Sequence, residues 1–313
     1  MGTILALSPD LKKEGFLMKS FKGIGLLLIS NLLIGIALFV VFNILAYGVL
    51  PAFGIDIRDS VNELIFLYAF VGGMGGAFIS LAFSKQMARA MLDCHEITQP
   101  RNQAEQVIYG AVQQIARRLQ IKMPEVWVYE SPDPNAFATG PSKNNSMVAV
   151  STGLLNNLNE QEVQAVLGHE MGHVYNGDMF VTTVLAGLMN TFVYFIALSV
   201  RRIFAERDQA MLGFVVSIFL EIALGILAMI VINWHSRHRE FAADAFSAKV
   251  YGKDAMISAL RGIDRWVSKA QVEPTAHDPL ATMKISGKTS GFLHFFATHP
   301  PIEERIAALQ RST

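Results

Sequence analysis

The chain has very little cysteine and little charge. Cys94 is the only cysteine among 313 residues, so no intramolecular disulfide can form, and a metal site has to be built from His, Asp and Glu. Charged residues make up 17% and hydrophobic residues 52%, a balance that predicts a membrane component. The formal net charge is zero, which gives a nucleic-acid partner no electrostatic support.

Four charge-poor runs are long enough to be considered as membrane-spanning helices, because about 20 apolar residues cross the bilayer core. They are residues 23–50, 64–83, 180–200 and 211–233. Gly72 and Gly76 in the second run have the spacing that lets another helix approach closely. Burial of the third and fourth runs inside a soluble domain stays open as an alternative, since charged residues lie at their ends.

Basic residues near the apolar runs predict the orientation. Four lysines precede the first run, and Lys85 and Arg89 follow the second. This pattern places the N-terminus and residues 84–179 in the cytoplasm. The loop at 201–211 disagrees, because it carries three arginines on the side predicted to face outward.

The polar part of the chain alternates helical and strand patterns. Apolar residues recur with helical spacing over 102–121, and Asn159 with Glu162 forms a capping box before the next helix. A further helix is predicted to end at Gly252. Short strands are predicted at 125–131, 135–140 and 146–151.

The segment LGHEMGHVYNGD contains a pattern typical of zinc sites. His169 and His173 are four residues apart, so on a helix both imidazoles can bind one ion. Glu170 can then reach a metal-bound water and act as a general base. The alternative is two histidines that make ordinary polar contacts on a helix.

A catalytic zinc needs a third protein ligand, and Glu240 in SRHREFAAD is the candidate. Asp244 lies one helical turn further on and can accept the other ring N–H of a histidine. Two apolar runs separate His173 from Glu240, and an even number of crossings returns the chain to the same side. Without the histidines, the two carboxylates would be interpreted as a solvated helix face.

Two residues further along suit the support of a transition state. His299 in THPPIEER can donate a hydrogen bond to the oxyanion of a scissile carbonyl, and Arg305 can pair with acidic groups. For His299, an ordinary turn residue ahead of two prolines is an equally good interpretation.

With HEMGH, EFAAD and THPP in place, the chain resembles the HtpX-type membrane zinc metalloproteases, relatives of the CAAX prenyl proteases. The segments PNAFATG (134–140) and VAVSTGLL (148–155) extend the resemblance over nearly the whole chain. The resemblance implies a mainly α membrane protein with a cytoplasmic α+β, zincin-like (gluzincin) domain. It also implies an endopeptidase of the cytoplasmic membrane that acts on damaged or misfolded membrane proteins, with its active site facing the cytoplasm.

Residue roles follow from the same resemblance. It implies one Zn²⁺ per chain, Glu170 as catalytic base and a substrate-binding strand. The zinc ligands would be His169, His173 and Glu240; Asp244, His299 and Arg305 would support the site; and Asn135, Ala136 and Phe137 would lie along the substrate.

The expected organisation has five segments. They are a cytoplasmic segment (1–22), two transmembrane helices (23–83), the first part of the catalytic domain (84–179), an apolar helical hairpin (180–233) and the second part of the catalytic domain (234–313). The expected partners are unfolded polypeptides, membrane-protein substrates and the lipid bilayer, with no nucleic acid; homo-oligomerisation is left open.

Two alternatives come from other functional classes. A metal transporter is suggested by Glu221 within the fourth apolar run and by histidines near the ends of the apolar runs. A catalytically silent membrane scaffold is the other alternative, although the intact Glu170 argues against it.

Overall fold

A computed structural model of the chain describes Pro51, residues 63–270 and residues 299–312. The N-terminal segment and the first apolar run lie outside the described residues. In chain order the helices are α1 (Glu63–Ala82), α2 (Ser84–Met91), α3 (Gln103–Leu119), α4 (Thr152–Asn157), α5 (Glu160–Asn176), α6 (Asp178–Ala205), α7 (Ala210–Tyr251), α8 (Lys253–Ala270) and α9 (Ile302–Arg311). The strands are β1 (Cys94–Glu96), β2 (Glu125–Tyr129), β3 (Ala136–Ser142) and β4 (Asn145–Ser151).

The described residues form two compact units. One consists of residues 81–180, 233–270 and 299–312, and it contains the sheet. The other consists of residues 63–80 and 181–232 and is entirely helical apart from the short connection between α6 and α7. The described part of the chain is therefore mainly helical, with one small sheet.

Three of the described helices are long and apolar enough to cross a membrane, judged by length and composition. They are Leu64–Ala82, Asp178–Ala205 and Ala210–Tyr251. Large apolar side chains on two of them point outward; Phe66 is 51% exposed and Phe219 is 69% exposed. Such exposure suits contact with lipid, because soluble surfaces rarely carry large apolar patches.

The close approach of α1 to α6 occurs at Gly73. A Cβ atom there would lie 2.6 Å from Thr191 Oγ1, so the contact requires glycine. Among the described residues, nothing lies within 4 Å of a Cβ atom built on Gly76, and Gly72 is at ordinary contact distance from Tyr194. The approach to α6 is therefore made by Gly73, and the close packing of another helix on Gly72 and Gly76 stays a prediction.

The sheet has the strand order β1-β2-β4-β3. β3 and β4 form an antiparallel hairpin, β2 and β4 pair in parallel, and β1 pairs antiparallel with β2. β3 is therefore at one edge of the sheet. The predicted strands at 125–131, 135–140 and 146–151 are confirmed to within a few residues, whereas β1 is too short for its sequence pattern to predict.

Side chains alternate between the two faces of the sheet, as extended strands require. Val126, Val148 and Ala136 point towards the larger core that α3 and α5 also line. Tyr129 and Phe137 point to the opposite face, where Ala88 of α2 packs against them. The second face of the sheet is thus covered in part by a helix of eight residues.

The predicted helix boundaries agree closely with the structure. The helix expected over 102–121 is α3, and both hydrogen bonds of the Asn159–Glu162 capping box are present at the start of α5. α7 ends at Tyr251, followed by Gly252 with a positive φ of 94°. One outcome was not expected: the fourth apolar run and the segment with Glu240 form one continuous helix of 42 residues.

Candidate metal centre

The HEMGH segment lies in the second half of α5, where it is buried. His169 is 1% exposed and Glu170 is 5% exposed. His169 and His173 are one helical turn apart, and their rings meet edge to face with centroids 4.7 Å apart. The helical spacing therefore directs both imidazoles into one place, as expected from the sequence.

Two glycines in α5 allow α7 to approach it. A Cβ atom on Gly168 would lie 2.8 Å from Ser247 Oγ, and one on Gly172 would lie 3.2 Å from the Cα atom of Ala243. Ser247 also donates a hydrogen bond to the carbonyl oxygen of Ala165. The short distance between the two helices brings Glu240 of α7 to the histidines of α5.

Three ligand atoms face a common point. The Nε2 atoms of His169 and His173 are 3.1 Å apart. One oxygen of Glu240 lies 3.4 Å from the first of these nitrogens, and the other oxygen lies 3.2 Å from the second. Zinc bonds of about 2.0–2.2 Å in a tetrahedron give ligand separations of roughly 3.3–3.6 Å, so the three side chains fit a zinc ion.

The other ring nitrogen of each histidine points at a carboxylate. Nδ1 of His169 lies 2.8 Å from Asp244 Oδ1, and Nδ1 of His173 lies 2.7 Å from Asp178 Oδ2. Because an ionised carboxylate only accepts hydrogen bonds, both Nδ1 atoms donate. In the neutral form of each ring, the Nε2 atom then has its lone pair available to a metal ion.

Asp178 was not predicted from the sequence as a residue of the site. Gly177 ends α5 in the left-handed conformation (φ 71°), and this turn brings Asp178 back to His173. Arg239, the residue before Glu240, donates to the same carboxylate, with its Nε atom 2.7 Å from Asp178 Oδ1. The sequence signal that could have predicted this contact is an acidic residue five positions after the second histidine, directly after a glycine that ends the helix.

Arg305 of α9 is fully buried beside the site. It donates to both oxygens of Asp244, at 2.8 Å and 2.6 Å, and its Nη1 atom lies 3.3 Å from Glu240 Oε2. The guanidinium group thus compensates the charge of two buried carboxylates, one of which also accepts from His169. Arg305 thus links the last described helix to the site.

His299 also reaches the site. Its Nδ1 atom lies 2.7 Å from Glu240 Oε2, an ion-pair distance. The alignment at these two atoms is not that of a hydrogen bond, and neither has a hydrogen-bond partner among the described residues. Both atoms are buried, so the His299 ring lies against the Glu240 carboxylate within the site.

The charges around the histidines favour a cation. Burial alone would lower the pKa of His169 and His173, but the carboxylates of Glu240, Asp244 and Asp178 outweigh burial and raise both. Burial would also raise the pKa of Asp244, yet the Arg305 guanidinium and His169 lower it to about 2. A metal ion has to compete with protons for this site.

The pKa of Glu170 is shifted in the opposite direction to that of Asp244. Burial raises its pKa above the ordinary value, and the neighbouring imidazoles of His169 and His173 offset that only in part. A carboxylate whose pKa is raised towards neutrality is better matched to proton transfer.

The predicted substrate strand is β3 with the residue before it. Asn135 is 3% exposed, and its side chain donates to the hydroxyl of Tyr129. β3 contacts α5, so the edge strand and the helix with the histidines are neighbours. Phe137 points away from that helix, into the cluster with Ala88.

Comparison with known proteins decides the family. The model of peptidase family M48 matches residues 102–313, which include every residue of the site. The chain belongs to peptidase family M48. It is a zinc metalloprotease, which removes the transporter and scaffold alternatives.

Relatives within this M48 family match over their full length. A protease HtpX homolog of Methylacidiphilum infernorum is 44% identical over 301 residues, covering 93% of this chain and 99% of the relative. The protease HtpX of Idiomarina loihiensis is 44% identical over 299 residues, covering 93% of this chain and 99% of the relative. The expected resemblance to HtpX-type proteases is confirmed.

A solved structure shares the fold. The crystal structure of S. mikatae Ste24p has a TM-score of 0.59 and 17% sequence identity, and the match covers 90% of this chain and 67% of that one. This M48 protein thus shares its fold with S. mikatae Ste24p.

Proposed function

We propose that the protein is an endopeptidase of the cytoplasmic membrane that hydrolyses peptide bonds of damaged or misfolded membrane proteins, with its active site facing the cytoplasm. The observation that carries the proposal is the convergence of His169, His173 and Glu240 on one point, beside the buried Glu170. The names of the HtpX relatives support the protease activity, and the apolar helices support the location.

His169, His173 and Glu240 would hold one zinc ion per chain. When bound, zinc supplies Lewis acidity to the scissile carbonyl and makes water acidic enough to attack at neutral pH. Glu170 takes the proton of the attacking water and then passes it to the leaving amine nitrogen. Its burial keeps bulk water from competing for that proton, and its raised pKa suits both transfers.

The supporting residues keep the ligands in one orientation. Asp244 accepts from His169, and Arg305 holds Asp244 by two hydrogen bonds, so the ring cannot rotate freely. His299 lies beside the metal centre, because its Nδ1 atom is 2.7 Å from Oε2 of the proposed ligand Glu240. In this proposal His299 donates to the oxyanion that develops on the substrate carbonyl.

The substrate binds in an extended conformation along β3. An edge strand offers backbone N–H and C=O groups to a peptide without reading its side chains. Asn135, Ala136 and Phe137 begin this edge, and Asn135 Oδ1 has no hydrogen-bond partner among the described residues. Weak sequence preference is the consequence, which suits a protease for unfolded chains.

The decisive experiment replaces Glu170 by Gln, which keeps the shape of the side chain and removes the base. The purified protein should retain zinc, while cleavage of an unfolded polypeptide falls by a factor of about 10²–10⁴. Glu160→Gln is the matched control, because Glu160 is an exposed residue in the first turn of the same helix. Cleavage by Glu170→Gln at the rate of the parent would refute the mechanism. Loss of zinc from the Glu170→Gln protein would refute the assignment of Glu170 as a base that is not a zinc ligand.

A further inference from the structure

The outward side of α2 is apolar, the reverse of what a helix on a water-facing surface shows. Met87 is 49% exposed and Met91 is 53% exposed, and Phe83, directly before the helix, is 55% exposed. The three residues are spaced by one helical turn, so they form a single stripe. Ala90 and Gln86 are the other exposed positions of the helix, and only Gln86 is polar.

The charged residues of α2 point the other way, towards the protein. Lys85 Nζ lies 2.9 Å from Glu125 Oε1 on β2, and Arg89 pairs with the other oxygen of that carboxylate. The Arg89 guanidinium also lies over the ring of Trp127, 4.8 Å from its centre. Both cations are thus held against the sheet, and the apolar stripe is left outside.

Chain connectivity indicates what lies outside that stripe. The apolar helix α1, a candidate membrane span, ends at Ala82, and α2 begins at Ser84. Only Phe83 lies between them, and consecutive Cα atoms are 3.8 Å apart. The stripe therefore begins where the chain leaves the proposed membrane span.

We propose that α2 lies in the lipid–water interface, with the stripe Phe83–Met87–Met91 inserted among the lipids. A helix in the interface buries its apolar side at the boundary of headgroups and acyl chains. The second face of the sheet rests on the inner side of α2, so Phe137 of β3 contacts Ala88 of that helix. The edge strand then lies about one helix diameter, ~10 Å, from the lipid headgroups.

This proposal is independent of the catalytic mechanism, because none of the three residues contacts the metal centre. Two other occupants of the stripe are conceivable, an unfolded polypeptide and a second copy of the chain. Lipid is favoured because the stripe continues directly from a helix that is itself apolar on its exposed surface.

A fluorescent label on the stripe tests the proposal. Cys94 is the only cysteine, so a Cys94→Ala, Glu170→Gln background leaves no competing thiol and no self-cleavage. An environment-sensitive fluorophore is attached to Met87→Cys or Met91→Cys in the full-length protein in phosphatidylcholine–phosphatidylglycerol vesicles. Gln114→Cys is the control, because Gln114 is exposed on α3.

The expected result is quenching by spin-labelled lipid at least about threefold greater at positions 87 and 91 than at 114, with the reverse order for aqueous iodide. Equal iodide quenching at all three positions would overturn the proposal. A change that appears only after an unfolded polypeptide is added would assign the stripe to substrate. Protection of the label from iodide that depends on the protein-to-lipid ratio would assign the stripe to contact with a second copy of the chain. Either of these last two outcomes would also overturn the proposal.

Discussion

The Nδ1 atom of His173 lies 2.7 Å from the carboxylate of Asp178, which follows it by only five residues. Gly177, in its left-handed conformation, makes this contact geometrically accessible. Arg239 binds the same carboxylate from the neighbouring helix. One metal-binding histidine is therefore oriented by a local turn, while His169 is oriented by Asp244, 75 residues away in the chain.

Asp178→Asn should weaken zinc binding without unfolding the protein. The carboxamide can keep the shape of the contact, but it no longer stabilises positive charge on the ring, and such changes cost about 10–100-fold in affinity. Competition with a zinc chelator measures the loss. Asp208→Asn is the control, because Asp208 is exposed and has a positive φ that asparagine tolerates. Equal zinc affinity in the two variants would show that Asp178 has no orienting role.

Arg305→Ala should destabilise the protein by about 3–5 kcal/mol, since it leaves Asp244 and Glu240 buried without their guanidinium partner. Thermal unfolding of the zinc-free protein measures this cost. Arg311→Ala in the same helix is the control, because Arg311 is exposed and should have little effect. Similar unfolding temperatures for the two variants would contradict the proposed charge compensation.

Gly168→Ala should push α5 and α7 apart, because the new methyl group would lie 2.8 Å from Ser247 Oγ. Overpacking of this kind typically costs about 1–3 kcal/mol, and here it would also move Glu240 away from the histidines. Gly110→Ala on α3 is the matched control, since a Cβ atom there meets nothing within 4 Å. We expect lower zinc affinity and a lower unfolding temperature for Gly168→Ala, and no loss for Gly110→Ala.

Zinc affinity should fall as the pH falls, beginning above the ordinary pKa of histidine. The carboxylates raise the pKa of His169 and His173 in the metal-free protein despite their burial. A raised pKa keeps each ring protonated to higher pH, and the proton has to leave before zinc binds. Chelator-buffered zinc titrations between about pH 6 and 9 measure the dependence. An affinity that stays constant from about pH 8 down to pH 6.5 would contradict this expectation.

Much of the site could be predicted because it depends on short-range geometry. The four-residue spacing in HEMGH and the position of Glu240 after two apolar runs are visible in the sequence, and the structure brings these side chains together. The pairing of Arg305 with Asp244 was expected only in general terms, as a contact with acidic groups. Its actual partner depends on how α9 packs, which no local pattern specifies.

What the sequence did not predict depends on tertiary contacts. β1 has three residues and acquires its conformation by pairing with β2. The direction of the cations in α2 depends on Glu125, which is distant in sequence. Gly73 makes the close approach to α6, and which residue of α1 faces α6 depends on the rotation of α1.

The buried guanidinium of Arg305 also has a consequence for biosynthesis. Arg305 lies 136 residues after His169, with which it is in contact. At roughly 5–20 residues per second, a ribosome needs about 7–27 s to cover that distance. Asp244 precedes Arg305 by 61 residues, so for the last roughly 3–12 s of that interval its carboxylate has been synthesised but its Arg305 partner has not. The order of synthesis therefore delays assembly of the protease until most of the chain has left the ribosome.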